Sequence, residues 1–394
     1  MISCSSTPKP VDKQVFTDSD STKISPKIEV GAEQTNQYLP LLKDKNIALV
    51  VNPTSRIKNS HLVDSLLSLG IHIKVIFAPE HGFRGDADAG EHIKNGKDSK
   101  TGLPIISLYG KNKKPDPSQL KNVDIIVFDI QDVGVRFYTY ISTMHYVMEA
   151  CAEQNKKMII LDRPNPNGDI VAGPILDTSK YRSFVGMHPI PIVHGCTVGE
   201  LANMINGESW LKNGIKCNLT IIPCKNYTHQ TPYSLPVKPS PNLNNDTSIR
   251  IYPSLCLLEP TDVSIGRGTY NPFTVLGIPY TIDSNINYTF TPKSIIGMSK
   301  YPKHKNKTCY GYQAIQLDTT LLTKSFSPIP FQYYYQLYKT EGKEKDFITS
   351  LQFLKQLIGN DLYLEYLKDK NSPYPHGEIN NYILLRRKYL LYPK

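Results

Sequence analysis

The chain has 394 residues, 40% hydrophobic and 20% charged, which at roughly 150 residues per domain predicts two or three globular domains and excludes a small scaffold held by disulfides or metals. Its 45 lysines and arginines against 35 acids give a formal charge of +10, but the surplus is spread over polar segments such as 111–114, 301–307 and 386–388, so a nucleic-acid groove is not expected and an anionic ligand is mildly favoured. Seven cysteines without a Cys-x-x-Cys pair argue against structural zinc and a disulfide framework, and no run of about 18 apolar residues is present to cross a membrane.

Along the chain, Ser3-Cys4-Ser5-Ser6 resembles the lipidation site of a bacterial lipoprotein, which makes Cys4 the expected lipid anchor and the cell envelope the expected location. Residues 5–36 are rich in Ser, Thr, Pro, Lys and acids, and segment 1–36 is therefore expected to be a signal remnant and disordered tether. From there apolar runs alternate with helical patterns. Runs 46–52, 71–78, 103–109, 123–130 and 157–162 are unbroken and β-branched, as expected of strands covered on both faces. Between them, 61–69 carries Leu62, Leu66 and Leu69 on one face before Gly70, and 139–154 carries Ile141, Met144, Met148 and Cys151 at helical spacing.

This order predicts an α/β fold in which residues 37–228 form a Rossmann-like parallel sheet domain wrapped by helices. Ligands of such sheets bind beyond the carboxyl ends of the strands. Those ends hold Asn52, then Glu80 and His81, Tyr109, Asp129 with Gln131 and Asp132, and Asp162 with Arg163. After residue 225 the texture changes: Pro232, Pro236, Pro239, Pro241 and Pro253 fall in a span without helical periodicity. The remainder, with β-like runs at 274–278 and 312–317 and a helix at 347–359, reads as a smaller α+β domain over 229–394.

Absent motifs narrow the chemistry. No G-x-G-x-x-G follows the first strand, and no P-loop, H-E-x-x-H or G-x-S-x-G occurs, so a dinucleotide oxidoreductase, a P-loop NTPase, a zincin and an ordinary α/β-hydrolase lose support. What remains are polar clusters in which carboxylates stand beside Arg, Asn, Tyr and Gly-rich turns. They suit a ligand with many hydroxyls and an anionic group, such as a sugar acid, whose glycosidic bond is usually hydrolysed between two carboxyl groups.

The segments Phe77-Ala78-Pro79-Glu80-His81-Gly82-Phe83-Arg84-Gly85, Phe128-Asp129-Ile130-Gln131-Asp132-Val133-Gly134-Val135-Arg136-Phe137-Tyr138-Thr139-Tyr140, Leu161-Asp162-Arg163-Pro164-Asn165-Pro166-Asn167-Gly168, Ser240-Pro241-Asn242 and Gly266-Arg267-Gly268-Thr269 resemble, in this order, the exo-acting β-N-acetylmuramidase family. The resemblance implies an active site in a cleft between a Rossmann-like and a smaller domain. It also implies release of N-acetylmuramic acid from the non-reducing end of peptidoglycan fragments, with no cofactor and no metal.

By the same resemblance Glu80 is the catalytic carboxylate, read as a general acid. Its partner is left open among Asp129, Asp132 and Glu259. Arg136, Arg163 and Arg267 are candidates for the lactyl carboxylate, because a planar guanidinium pairs with it bidentately. His81, Arg84, Tyr138, Asn165, Asn167, Asn242 and Glu259 are the further expected substrate contacts. The chain departs from the family pattern at Glu259-Pro260-Thr261-Asp262, where Glu-Gly-Thr-Asn is usual, and Leu243 follows Ser240-Pro241-Asn242 where a proline is common. Pro260 removes a backbone donor. That departure, with the tether, motivates the alternative of a non-catalytic muropeptide-binding lipoprotein.

Overall fold

The structure, a computed structural model, describes residues 27–84, 95–280, 286, 288–373 and 377–393. Cys4 and residues 5–26 of the expected tether lie outside the described residues. The chain packs earlier than composition suggests. Glu29 bridges to Lys225, and the Gly31 amide donates to the Asp162 carbonyl at 2.8 Å. Gly31 lies so close to the Ile222 carbonyl and the Asp162 amide that a Cβ has no room.

Strands β1 (Ile47–Val51), β2 (Ile73–Ala78), β3 (Gly96–Lys97), β4 (Pro104–Ser107), β5 (Ile125–Asp129), β6 (Lys157–Leu161) and β7 (Asn218–Ile222) form one sheet in the order β7-β6-β5-β1-β2-β4-β3. All neighbours are parallel except the edge strand β3, which runs antiparallel to β4. The expected runs correspond to β1, β2, β4, β5 and β6, while β3 and β7 had no apolar run to announce them.

Alternation along each strand divides the core. Leu49, Val51, Val127 and Ile159 pack under helices α1 (Thr35–Leu42) and α2 (Leu62–Ser68), against Tyr38, Leu42, Leu62 and Leu66. Ala48, Val50, Phe128 and Ile160 face helices α3 (Tyr140–Glu153) and α4 (Val198–Gly207), meeting Met144, Val147, Leu201 and Ile205. Each such side chain stabilises the fold by about 1.5–3 kcal/mol when fully buried. Helix α3 is not one-sided as its spacing predicts: Thr143, His145 and Glu149 are buried too. They are matched by polar partners, His188 on His145 and Lys114 on Glu149.

The second part follows with α5 (Asp246–Leu255), an antiparallel sheet of β8 (Val275–Ile278), β9 (Tyr288–Phe290) and β10 (Cys309–Gln313) in the order β8-β10-β9, and helices α6 (Ile329–Thr340) and α7 (Leu351–Ile358). The core of α3 and α4 continues into it through Phe137, Tyr252, Phe273, Phe331, Phe347 and Leu357, so the two parts share one packed interior.

Three expectations fail locally. Pro253 sits inside α5, in a span expected to lack helix. The helix tolerates it because the Ile249 carbonyl, which loses its donor four residues on, accepts from Asn167 Nδ2 at 3.4 Å instead. The run 312–317 is the end of β10 followed by a helical turn, Ala314–Leu317. The helix expected from 347 begins only at Leu351, where Ser350 accepts from the Phe353 amide as its cap, and Leu351, counted with its apolar stripe, is 45% exposed.

Candidate active site

From β1 the chain builds outward to β2 and β4, then returns to β5 on the other side of β1. The crevice beyond the carboxyl ends of β1 and β5 is therefore the topological switch point, where open α/β sheets take their ligands. Glu80 reaches it on a tight turn after β2. Leu108 and Gly82 amides donate to the carbonyls of Ala78 and Pro79 at 2.8 and 3.1 Å. His81 and Gly82 both take positive φ, 69° and 81°. For histidine this left-handed backbone is strained, a feature that tends to persist at functional sites.

The crevice opens into a cavity of about 320 Å³. One wall comes from the sheet domain and carries Glu80, His81, Tyr109, Tyr138, Thr139 and Phe184; the other comes from the second part and carries Asn242, Glu259, Arg267 and Phe353. The Glu80 carboxylate accepts from Thr139 Oγ1 at 2.7 Å, and Tyr109 stands on the same wall. Burial, and then the charge of Glu80, push the Tyr109 phenol upward. The Tyr140 hydroxyl donates to the Glu80 carbonyl at 3.4 Å and that of Tyr138 to the Pro239 carbonyl at 2.8 Å. Tyr138 therefore offers its ring, not its hydroxyl, to the cleft.

On the opposite wall Arg267 binds Glu259 Oε1 through Nε and Nη2, at 2.9 and 2.5 Å, and lies 5.0 Å over the Phe273 ring. The Pro260 loop is held from behind. Lys303 Nζ donates to the carbonyls of Glu259, Thr261 and Val263, and the Thr349 amide donates to the Pro260 carbonyl at 2.9 Å. The basic run 301–307 thus supplies a strut as well as a solvated surface. Asn242, a residue of the cleft wall, is only 2% exposed; its Nδ2 donates to the Met298 carbonyl at 2.8 Å, and its buried Oδ1 has no partner among the described residues. The Met298 bond fixes the amide's orientation.

Several expected site residues are elsewhere. Asp129 and Arg163 form a buried two-point ion pair at 2.6 and 2.9 Å, with Arg163 also donating to the Arg56 carbonyl. Asp132 Oδ2 accepts from the Gly134 amide at 2.6 Å and is 3.7 Å from His194 Nε2, beneath the cleft. Arg84 is taken by Asp98 and Asp64, which holds the Asp98 carboxyl well below its ordinary range.

Arg136 is fully buried; its guanidinium donates to the carbonyls of Pro174, Ile190, Leu357 and Ile358 at 2.7–2.8 Å and locks the two parts together. Asn165 bonds Cys196 O and the Asn167 amide, and Asn167 bonds Val133 O, Ile249 O and Arg250. The two amides and both Nη atoms of Arg136 are thus committed within the protein, while Arg136 Nε is buried without a partner among the described residues. Among the described residues, Glu80 and Glu259 are the carboxylates on the cleft.

Tyr109 and Thr139 carried no assigned role in the sequence. Tyr109 stood at a strand end and Thr139 near the end of the second motif, but only the fold brings both to the wall that carries Glu80 and the Thr139 hydroxyl onto its carboxylate.

Residues 47–247 match the family model described as exo-beta-N-acetylmuramidase NamZ, N-terminal, and residues 250–392 the model for its C-terminal part. The peptidoglycan beta-N-acetylmuramidase NamZ of Bacillus subtilis (strain 168) is 41% identical over 317 residues, 76% of this chain and 75% of that protein. Crystal structures of two DUF1343 family proteins of Bacteroides fragilis match with TM-scores of 0.82 and 0.80 at 45% and 30% identity, covering 94% and 93% of this chain and 100% of each.

Proposed function

The chain belongs to the exo-β-N-acetylmuramidase family, and on that premise we propose that it hydrolyses the bond between a terminal N-acetylmuramic acid, at the non-reducing end of a peptidoglycan fragment, and the next sugar. It is a glycoside hydrolase. The observation that carries the assignment to this cleft is the placement of Glu80: a hydrogen-bonded carboxyl group on one wall, facing an arginine, a second glutamate and an unpartnered amide oxygen on the other.

Protonated Glu80 gives its proton to the glycosidic oxygen as the bond to the anomeric carbon breaks. The departing sugar leaves as an alcohol, positive charge develops on the muramoyl ring, and water supplies the new hydroxyl. Glu259 is the partner carboxylate that the cleft offers to that charge, in place of Asp129 and Asp132. Arg267 is the guanidinium placed to meet the lactyl carboxylate, while Arg136 and Arg163 are committed to the scaffold. Asn242 Oδ1 accepts from a hydroxyl or acetamido N–H of the sugar. The binding-only alternative gains no support from the Pro260 loop, which keeps Glu259 and Arg267 on the cleft wall.

The test is release of N-acetylmuramic acid from a muramoyl-terminated disaccharide by wild type and Glu80→Gln. Wild-type turnover by the variant removes Glu80 from the mechanism. We also place the protein in the cell envelope, anchored at Cys4, supported by the Ser3-Cys4-Ser5 sequence and by where peptidoglycan lies. Incorporation of a fatty-acid label that survives in Cys4→Ser would refute the anchor.

A further inference from the structure

We propose that Thr139 is a positioning residue that holds the Glu80 carboxyl group in the orientation from which it delivers its proton. The proposal rests on Glu80 being the general acid. A glutamate has three rotatable side-chain bonds, and its head group at a cleft wall sweeps several positions unless something fixes it. Here a hydroxyl does so from an independent element: Thr139 precedes α3, whereas Glu80 follows β2. The Thr139 bond occupies Oε2 at 2.7 Å.

Thr139 stands directly before α3 with helical backbone angles, φ −70° and ψ −7°, and its side chain makes no capping bond there. The hydroxyl is turned to Glu80 instead. Tyr140, the first residue of α3, steadies the same segment from its main-chain side through the Glu80 carbonyl. The Thr139 hydroxyl carries no charge that could change while the enzyme works, and it acts as a fixed dipole. The ionisable groups facing Glu80 are His81 beside it, Tyr109, Tyr138 and Tyr140 along the same wall, and Glu259 with Arg267 across the cleft; all stay in place in the variants below.

General-acid help matters for a sugar leaving group, a poor alkoxide, and hardly at all for 4-nitrophenolate, which departs unprotonated. A residue that only aims the acid must therefore show a defect that depends on the leaving group. For Thr139→Val, kcat on the muramoyl disaccharide is expected to fall about 10- to 100-fold with KM within about twofold. On the 4-nitrophenyl β-N-acetylmuramide the loss stays under about threefold, and Thr139→Ser restores the disaccharide rate. Equal losses on both substrates, a change confined to KM, or no loss overturns the proposal. The two readings fail separately: wild-type disaccharide turnover in Glu80→Gln removes the general acid, whereas an inactive Glu80→Gln beside unimpaired Thr139→Val removes only the positioning.

Discussion

Two arginine–carboxylate pairs, one under the sheet edge and one on the cleft, are made from the same chemistry and serve different ends. Asp129 and Arg163 are 0% and 4% exposed, joined at two points, with a carbonyl taking a further guanidinium N–H. Glu259 and Arg267 keep 21% and 28% of their side chains open and share a single carboxylate oxygen. Taking charges out of water is repaid only when every donor and acceptor finds a partner, so the first pair is closed to chemistry and serves the scaffold. The second retains contact with solvent and can exchange it for a ligand. The same contrast separates Arg136, spent on four carbonyls, from Asn242, whose buried acceptor is unused.

This difference can be broken or sharpened by experiment. The largest effect is expected on the cleft: Glu80→Gln lowers kcat on a muramoyl disaccharide by about 10²–10⁴-fold, with an unchanged urea midpoint. Next comes the scaffold. Arg163→Met strands the Asp129 carboxylate in the interior and costs on the order of 3–5 kcal/mol, read as a shifted urea midpoint. Arg136→Met, which leaves four buried carbonyls without donors, falls in the same range. A wild-type midpoint in either variant, together with lost activity, would move that arginine from scaffold to site.

A smaller effect concerns pH. His61 belongs to the buried polar layer: its Nε2 bonds the Asn52 carbonyl at 3.0 Å, and its Nδ1 accepts from the Val63 amide at 3.2 Å as the cap of α2. Both bonds together require the neutral ring. Burial, partly opposed by the Asn52 carbonyl, pulls its pKa down to about 4, below the roughly 6.5 of an unfolded chain. With the folded value the lower one, the stability that neutral His61 contributes is complete above about pH 6.5 and is lost as pH falls toward 4, an effect of about 1–3 kcal/mol. His61→Asn keeps a capping side chain and should flatten the fall in urea midpoint over that window.

The smallest expected effect is that of Arg267→Met. It costs less than about 1 kcal/mol of stability, as befits a half-exposed pair, and raises KM about tenfold for substrates carrying the lactyl carboxylate. An equal rise with a glycoside lacking that carboxylate would show that Arg267 acts only by holding Glu259.

Much of this was legible in the chain. Unbroken β-branched runs located the central strands because a strand covered on both faces has no polar side, and the Glu80 turn was marked by its motif. Strands β3 and β7 were not legible, being an exposed edge pair and a half-buried strand of mixed polarity. Pro253 argued against a helix that a side chain 86 residues earlier in the sequence, Asn167, makes tolerable. Thr139 could be seen as a polar residue at an element end, but nothing in its spacing says that the Glu80 carboxylate receives its hydroxyl.

Sequence alone therefore determined the fold class and the family, and it singled out Glu80 as the proposed acid, because these rest on local patterns: periodicity, turn chemistry and ordered motifs. Which arginine stands on the cleft and which are committed to the scaffold was decided only by tertiary structure. Arg136, Arg163 and Arg267 are equivalent as guanidinium groups, and their roles depend on what the fold brings to them. For Arg136 that is a pair of carbonyls 221 and 222 residues further along the chain, for Arg163 a buried aspartate, and for Arg267 a glutamate left half in water at the mouth of the cleft.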